Sequence, residues 1–246
     1  GTELASRIAA LFPSETGNDP FTSFGWLALN NIINGLLIID SQPNLTVLRR
    51  YLENGAANLV IQAIDAYGSK NLSGYEEKRS ARVAKVQAKG REAVARSLSR
   101  LYYTEIQPHS PSSDLEGLLS LFEHDSAHFG QMIATLLPVM SMLTSGHLGK
   151  LLSPAIDDPT DKRKIFNTTS IIQQKKVLCL GLDSLTDSMV GSAIGSLLLS
   201  DLAAVAGDRY NYGIENLPVN VFVDEAAEVL NDPMIQLLNK GRGALL

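Results

Sequence analysis

Two apolar runs of strand length, Lys176-Val-Leu-Cys-Leu-Gly-Leu182 and Pro218-Val-Asn-Val-Phe-Val223, lie on either side of a helical pattern over Thr186–Val205. Runs of aliphatic and β-branched residues without polar alternation predict strands buried on both faces. A further helical pattern covers most of Glu225–Leu238. The final third therefore reads strand, helix, strand, helix, the order of a parallel sheet covered by helices. Two strands do not make a stable sheet. The remaining strands are expected outside this chain, or from Leu4–Phe12 and Lys164–Asn167. Cys179 falls inside the first run, and this position predicts a buried small hydrophobe in a reducing compartment.

The first two-thirds carry the period of helices instead. Leu4–Phe12 is amphipathic and stops at Pro13, ahead of a loop through Pro20. Phe21–Ile39 is apolar on most sides and predicts a buried helix. Asn44 is placed to cap a helix over Leu45–Asn54, with Gly55 to end it. Ala56–Tyr67 predicts another, ended by Gly68. Ser73 and Glu76 have capping-box spacing and open a predicted helix to about Tyr103. Ser113 and Glu116 repeat that spacing ahead of a helix to about Thr144, kinked at Pro138. The polar loop Asp157–Asp161 marks a domain boundary. A composition of 45% apolar and 19% charged residues over 246 positions excludes a disordered chain and a membrane bundle. No uninterrupted apolar run reaches 18 residues, so no membrane helix is predicted. A start at Gly1 without methionine or leader reads as a piece of something longer.

Charge is unevenly spread. The net charge is −5, yet Lys70–Arg100 holds nine basic and three acidic residues. Within the predicted helix, Lys78, Arg82, Lys85, Lys89, Arg96 and Arg100 are separated by 4, 3, 4, 7 and 4 positions. At 3.6 residues per turn they fall on one stripe, and Val83, Val86, Gly90, Val94, Leu98 and Leu101 on another. A cationic ridge with few balancing acids fits a phosphate backbone; the plainer alternative is a solvated helix face. Tyr102 and Tyr103 suit either base stacking or a core.

The second strand runs straight into Asp224-Glu225. In open parallel sheets, ligands bind at the carboxyl ends of strands. An Asp there holds Mg²⁺ through water, and an adjacent Glu orients and deprotonates an attacking water. This is the Walker B pattern; the alternative is that Asp224 caps the next helix. The P-loop pattern G-x-x-x-x-G-K-[ST] occurs nowhere in the chain and is expected upstream. Arg242 is a candidate phosphate contact, or else a solvated helix end. His124 and His128 share a helix face at i and i+4, but the zinc-protease Glu is replaced by Asp125 and no third ligand is evident.

An ordered set of short motifs resembles the conjugative coupling proteins of the TraD type, in the branch carried by integrating conjugative elements. The set begins with Leu4–Pro13, Phe21-x-x-Phe-Gly-Trp26 and Pro43–Thr46. It continues through Phe122–Phe129, Leu143–Gly146 and Leu151–Pro154. It closes with Val177–Leu185, Ser200–Leu202, Val219–Glu225 and Leu238–Gly241. The resemblance implies a hexameric ATPase with a RecA-like nucleotide-binding domain, on the cytoplasmic face of the bacterial inner membrane. Such a protein links the relaxosome and its relaxase to a type IV secretion channel and moves single-stranded DNA. It also implies ATP and Mg²⁺ as cofactors, Glu225 as the catalytic carboxylate and Asp224 as the Mg²⁺ carboxylate.

The expected fold is mainly α, with an all-helical domain inserted into an incomplete RecA-like P-loop ATPase domain. Residues 1–19 and 161–246 would belong to the nucleotide-binding domain and residues 20–160 to the all-α domain. A chain without Walker A is expected to bind nucleotide poorly and to hydrolyse none, and, with most ring-forming surfaces missing, to stay monomeric. The departure after Ala244, where the family reads Gly-Phe and proceeds to a sensor strand, removes further sheet. Two other functions fit the residues less fully. One is a helical protein-binding adaptor without motor activity; the other is a metalloenzyme on His124 and His128.

Overall fold

The computed structural model describes residues 5, 8, 20–153, 162–182, 188–212, 217–229 and 232–241. The protein is mainly α, and the described residues contain no β-strand. It divides into two compact units, one of residues 1–5 and 23–137 and one of residues 6–22 and 138–246. The expected Leu4–Phe12 helix as a whole, the Asp157–Asp161 loop and Arg242 lie outside the described residues.

The first unit is built on α1 (Pro20–Ile38), α2 (Leu45–Asn54), α3 (Ala57–Asn71), α4 (Tyr75–Ala84), α5 (Arg91–Leu101), α6 (Ser113–Glu123) and α7 (Ser126–Met132). On α1, Ala28, Leu29, Ile32, Ile33 and Leu36 are buried and Leu27 and Leu37 exposed. Most of the helix meets the core, as its composition predicts, with Asn31 and Gly35 buried as well. Asn44 caps α2 by accepting the Val47 N–H at 2.9 Å, and Gly55 ends it with φ +77°, both as predicted. The α3 helix packs on α4, α5 and α6. Its core side is Leu59, Val60, Ala63 and Ile64, all fully buried.

Gly68 does not stop α3. The helix runs on to Asn71, and the missing Cβ at Gly68 makes room for the Tyr75 ring, which a methyl group there would overlap. The helix expected to continue from Ser73 to Tyr103 stops earlier, at Ala84. The chain then turns through Gln87–Lys89, and Gly90, at a φ of +93° closed to a right-handed helix, separates that turn from α5. Nor does Ser73 cap α4: Gly74, at φ +67°, holds that place without a side-chain bond. A π-helical turn, Tyr102–Ile106, follows α5 and buries Tyr102 completely.

The predicted helix to Thr144 is likewise three helices, α6, α7 and α8 (Leu136–Thr144). Ser112, one residue before the expected position, caps α6 by accepting the Leu115 N–H. Asp125 accepts the His128 N–H at 2.9 Å and starts α7, which breaks the expected run at the His-Asp-Ser-Ala-His segment. Pro138 sits in the first turn of α8, where its missing N–H costs no helical bond.

The second unit holds α9 (Gly146–Leu152), α10 (Thr168–Gln173), α11 (Ser188–Tyr212) and α12 (Asp232–Lys240). The α11 helix packs on α10, on α12 and on a 3₁₀ turn at Ala226–Val229. Gly195 lets the Val229 side chain approach so closely that a Cβ would overlap it. Over its most apolar 18 residues α11 has a mean hydropathy of 1.7, with 44% of that stretch buried. By length and composition it is able to cross a membrane, a property that core helices share. Counting uninterrupted apolar residues misses it, because Ser196, Ser200 and Asp201 punctuate the sequence.

The two predicted strands are corrected. Residues 176–182 and 217–223 are non-helical chain without strand pairing, with Val177 96% and Phe222 92% exposed. A strand needs neighbours for its N–H and C=O groups, and none of the described residues supplies a ladder. For the same reason Cys179 is exposed, not buried in a sheet.

Candidate nucleic-acid interface

The break between Ala84 and Arg91 bends the cationic stripe. Lys78 and Arg82 stand on α4, Lys85 and Lys89 in the connection, and Arg96 and Arg100 on α5, which packs against α4. This packing brings Glu105, from the π turn, to the cations of α4. Lys78 Nζ lies 2.8 Å from its carboxylate and Arg82 Nη2 3.3 Å. Arg82 also donates to Thr104 Oγ1 at 3.3 Å. Lys78, chiefly, and then Arg82 hold the Glu105 carboxyl below its ordinary range. Arg79, a neighbouring cation not in the stripe, is taken by Asp65.

What remains is a smaller set of cations. Lys85, Lys89, Arg96 and Arg100 are exposed, and none has an ion pair among the described residues. Two more arginines outside the predicted stripe, Arg50 and Arg91, share that condition. Arg91 lies within the basic stretch Lys70–Arg100; nothing in the sequence pointed to Arg50. Of the two candidate stacking tyrosines, Tyr102 belongs to the core. Its hydroxyl donates to Glu116 Oε1 at 3.0 Å and accepts the Ser112 N–H at 2.9 Å. Burial first, and then Glu116, push the phenol up to about 12. Tyr103 is 37% exposed and meets Tyr102 edge-on.

Asp224 and Glu225 sit together on an exposed turn after the extended segment 217–223. Asp224 Oδ1 accepts the Glu225 N–H at 3.0 Å, and Glu225 adopts φ +49°. The described residues do not complete a site for Mg²⁺ or ATP around this pair. No group of three or more His, Cys, Asp or Glu side chains converges among them, and the sequence has no P-loop pattern. His124 and His128 stack with ring centroids 5.2 Å apart and planes 11° apart, with Phe24 edge-on to His124. They form an aromatic cluster and have no third ligand among the described residues.

No protein-family model matches the chain, and neither does any curated protein or solved structure.

Proposed function

We propose that this chain is part of a TraD-type conjugative coupling protein, a DNA-translocating ATPase, and that its first unit meets DNA. The observation that carries DNA contact is the run of exposed cations Lys85, Lys89, Arg96 and Arg100 without ion pairs among the described residues. Cations already neutralised release few counterions on binding; free ones release more, and they dominate affinity for a phosphate backbone. The ordered motif set supports the family, the RecA-like motor, the hexamer and the inner-membrane location.

Two bare apolar segments support the partial-sheet part of the reading. Residues 176–182 and 217–223 have the composition of buried strands and leave Val177 and Phe222 in solvent. Such surface is ordinarily covered. In the proposed protein they join further strands, and Asp224 and Glu225 then stand at a strand end. ATP and Mg²⁺ are proposed for that longer protein alone.

The test is fluorescence anisotropy of labelled single- and double-stranded DNA across a salt series. Binding is expected to weaken with salt, and to fall by roughly tenfold or more when Lys85, Lys89, Arg96 and Arg100 all become Glu. Binding that ignores salt and these substitutions overturns DNA contact. The first unit is then a protein-recognition adaptor, the reading favoured by the acidic surplus elsewhere in the chain.

A further inference from the structure

We infer that the cavity between α2, α3 and the start of α5 seats one nucleotide of a single-stranded nucleic acid. The inference rests on the DNA-contact reading above and gives it a second, separate site. The cavity measures about 820 Å³ and is lined by Arg50 and Tyr51 of α2, Asn58 and Gln62 of α3, and Arg91 and Glu92 of α5. It is open to solvent on one side, so it suits a ligand that continues beyond it. Its walls supply each kind of contact that a nucleotide requires.

Arg50 and Arg91 come from different helices and neither is paired with a carboxylate among the described residues. The Arg50 guanidinium lies over the Tyr51 ring, 5.6 Å from its centroid. A flat cation on an aromatic ring is a stacking platform for a base. Asn58 and Gln62 offer amide donors and acceptors to a base edge. The α3 helix begins beside this cavity, which Gly55, Ala57 and Asn58 line, and its N-cap, Ala56, gives no side-chain cap.

Charge selects the form of the ligand. Two arginines and Glu92 leave the cavity at about +1. A phosphodiester within a strand carries one negative charge and matches it; a free nucleotide carries two or more, and Glu92 opposes the excess. The position of Arg91 supports the same choice. It follows Lys89 and Gly90 directly, so a strand tracking the exposed cations of the ridge reaches this cavity next.

The test compares a labelled oligothymidine, a blunt duplex and unlabelled free thymidine monophosphate against the full chain. The Arg50→Ala/Arg91→Ala double variant is expected to bind the oligothymidine roughly tenfold more weakly, and Tyr51→Leu several-fold more weakly. Arg91→Lys restores part of the loss, and duplex binding moves less than twofold in each case. Circular dichroism should match wild type, since both arginines are exposed. If the double variant keeps wild-type affinity while Lys85→Glu/Lys89→Glu loses it, the cavity is not a site and the DNA reading stands. If wild type binds neither DNA at low salt, both fall. Competition by free thymidine monophosphate as effective as by the strand overturns the assignment to a strand.

Discussion

Arg79 grips Asp65 with two parallel bonds, Nε to Oδ1 at 2.6 Å and Nη2 to Oδ2 at 2.8 Å. The same Oδ1 accepts the Tyr75 hydroxyl at 2.5 Å. One carboxylate on α3 therefore fixes two residues of α4. Hydrogen bonds to a charged group are worth about 1.5–3 kcal/mol, and a partner left unpaired adds its own cost. Asp65→Ala is expected to lower unfolding free energy by roughly 2–3 kcal/mol in urea titration. A loss below about 0.5 kcal/mol would mean that solvent screens the cluster as it does an ordinary surface pair.

That clamp decides what a substitution at Gly68 does. Alanine in a helix interior is normally favoured over glycine by about 1 kcal/mol. Here a Cβ would overlap the Tyr75 ring, and the ring is pinned by its bond to Asp65. Overpacking a tight site costs about 1–3 kcal/mol, so the steric term wins. Gly68→Ala is expected to destabilise by roughly 1–2 kcal/mol net, read as a lower thermal midpoint. Combining it with Tyr75→Leu should remove most of that penalty; stabilisation by Gly68→Ala alone would refute the close approach.

Gly68 and Gly90 also show what the sequence does and does not contain. Both interrupt apolar helical patterns, and the residue type alone offers the same reading for each. The difference lies in a non-local contact at Gly68 and a positive φ at Gly90. Local chemistry was legible: Asn44 as a cap, Gly55 as a stop, and most of α1 and α3. The bent ridge was not, because a 3.6-residue period assumes a straight helix. Glu105 lies beyond the stretch whose charges make the stripe, so its pairing with Lys78 and Arg82 was invisible. The Arg50–Arg91 cavity joins helices distant in sequence and carries no local signature. The strand-like runs show the opposite failure. Their composition is right for a sheet, but a ladder requires partners that the described residues do not provide.

Tyr102 gives the protein an alkaline weak point. Its phenol is fully buried and titrates at about 12, against an ordinary value of 10.0. Because the folded value lies above the unfolded one, its contribution to stability is complete below pH 10 and is lost as pH rises through about 12. Unfolding free energy should therefore fall between those limits. Tyr102→Phe should make that fall shallower while losing the bonds to Glu116 and Ser112; Tyr75 and Tyr103, also raised by burial, keep part of it. The phenolate absorbance of the folded protein should show a late step absent from this variant; no change in that step would assign it to Tyr103, since burial and Asp65 push Tyr75 higher still.

Glu105 is the point at which stability and DNA contact are set against each other. Lys78 and Arg82 lower its carboxyl, so the stabilisation it gives is present above the ordinary carboxylate range and is lost as pH falls through the lowered value. Glu105→Gln should remove that acid-side loss and leave Lys78 and Arg82 unneutralised. If both then meet phosphates, the slope of log affinity against log salt should steepen by up to about 1.4 for single strands or about 1.8 for duplex. Affinity should rise several-fold at low salt and converge with wild type at high salt. An unchanged slope, with Lys85→Glu/Lys89→Glu still weakening binding, would show that the DNA path starts at Lys85 and that the α4 cations serve only to hold the π turn.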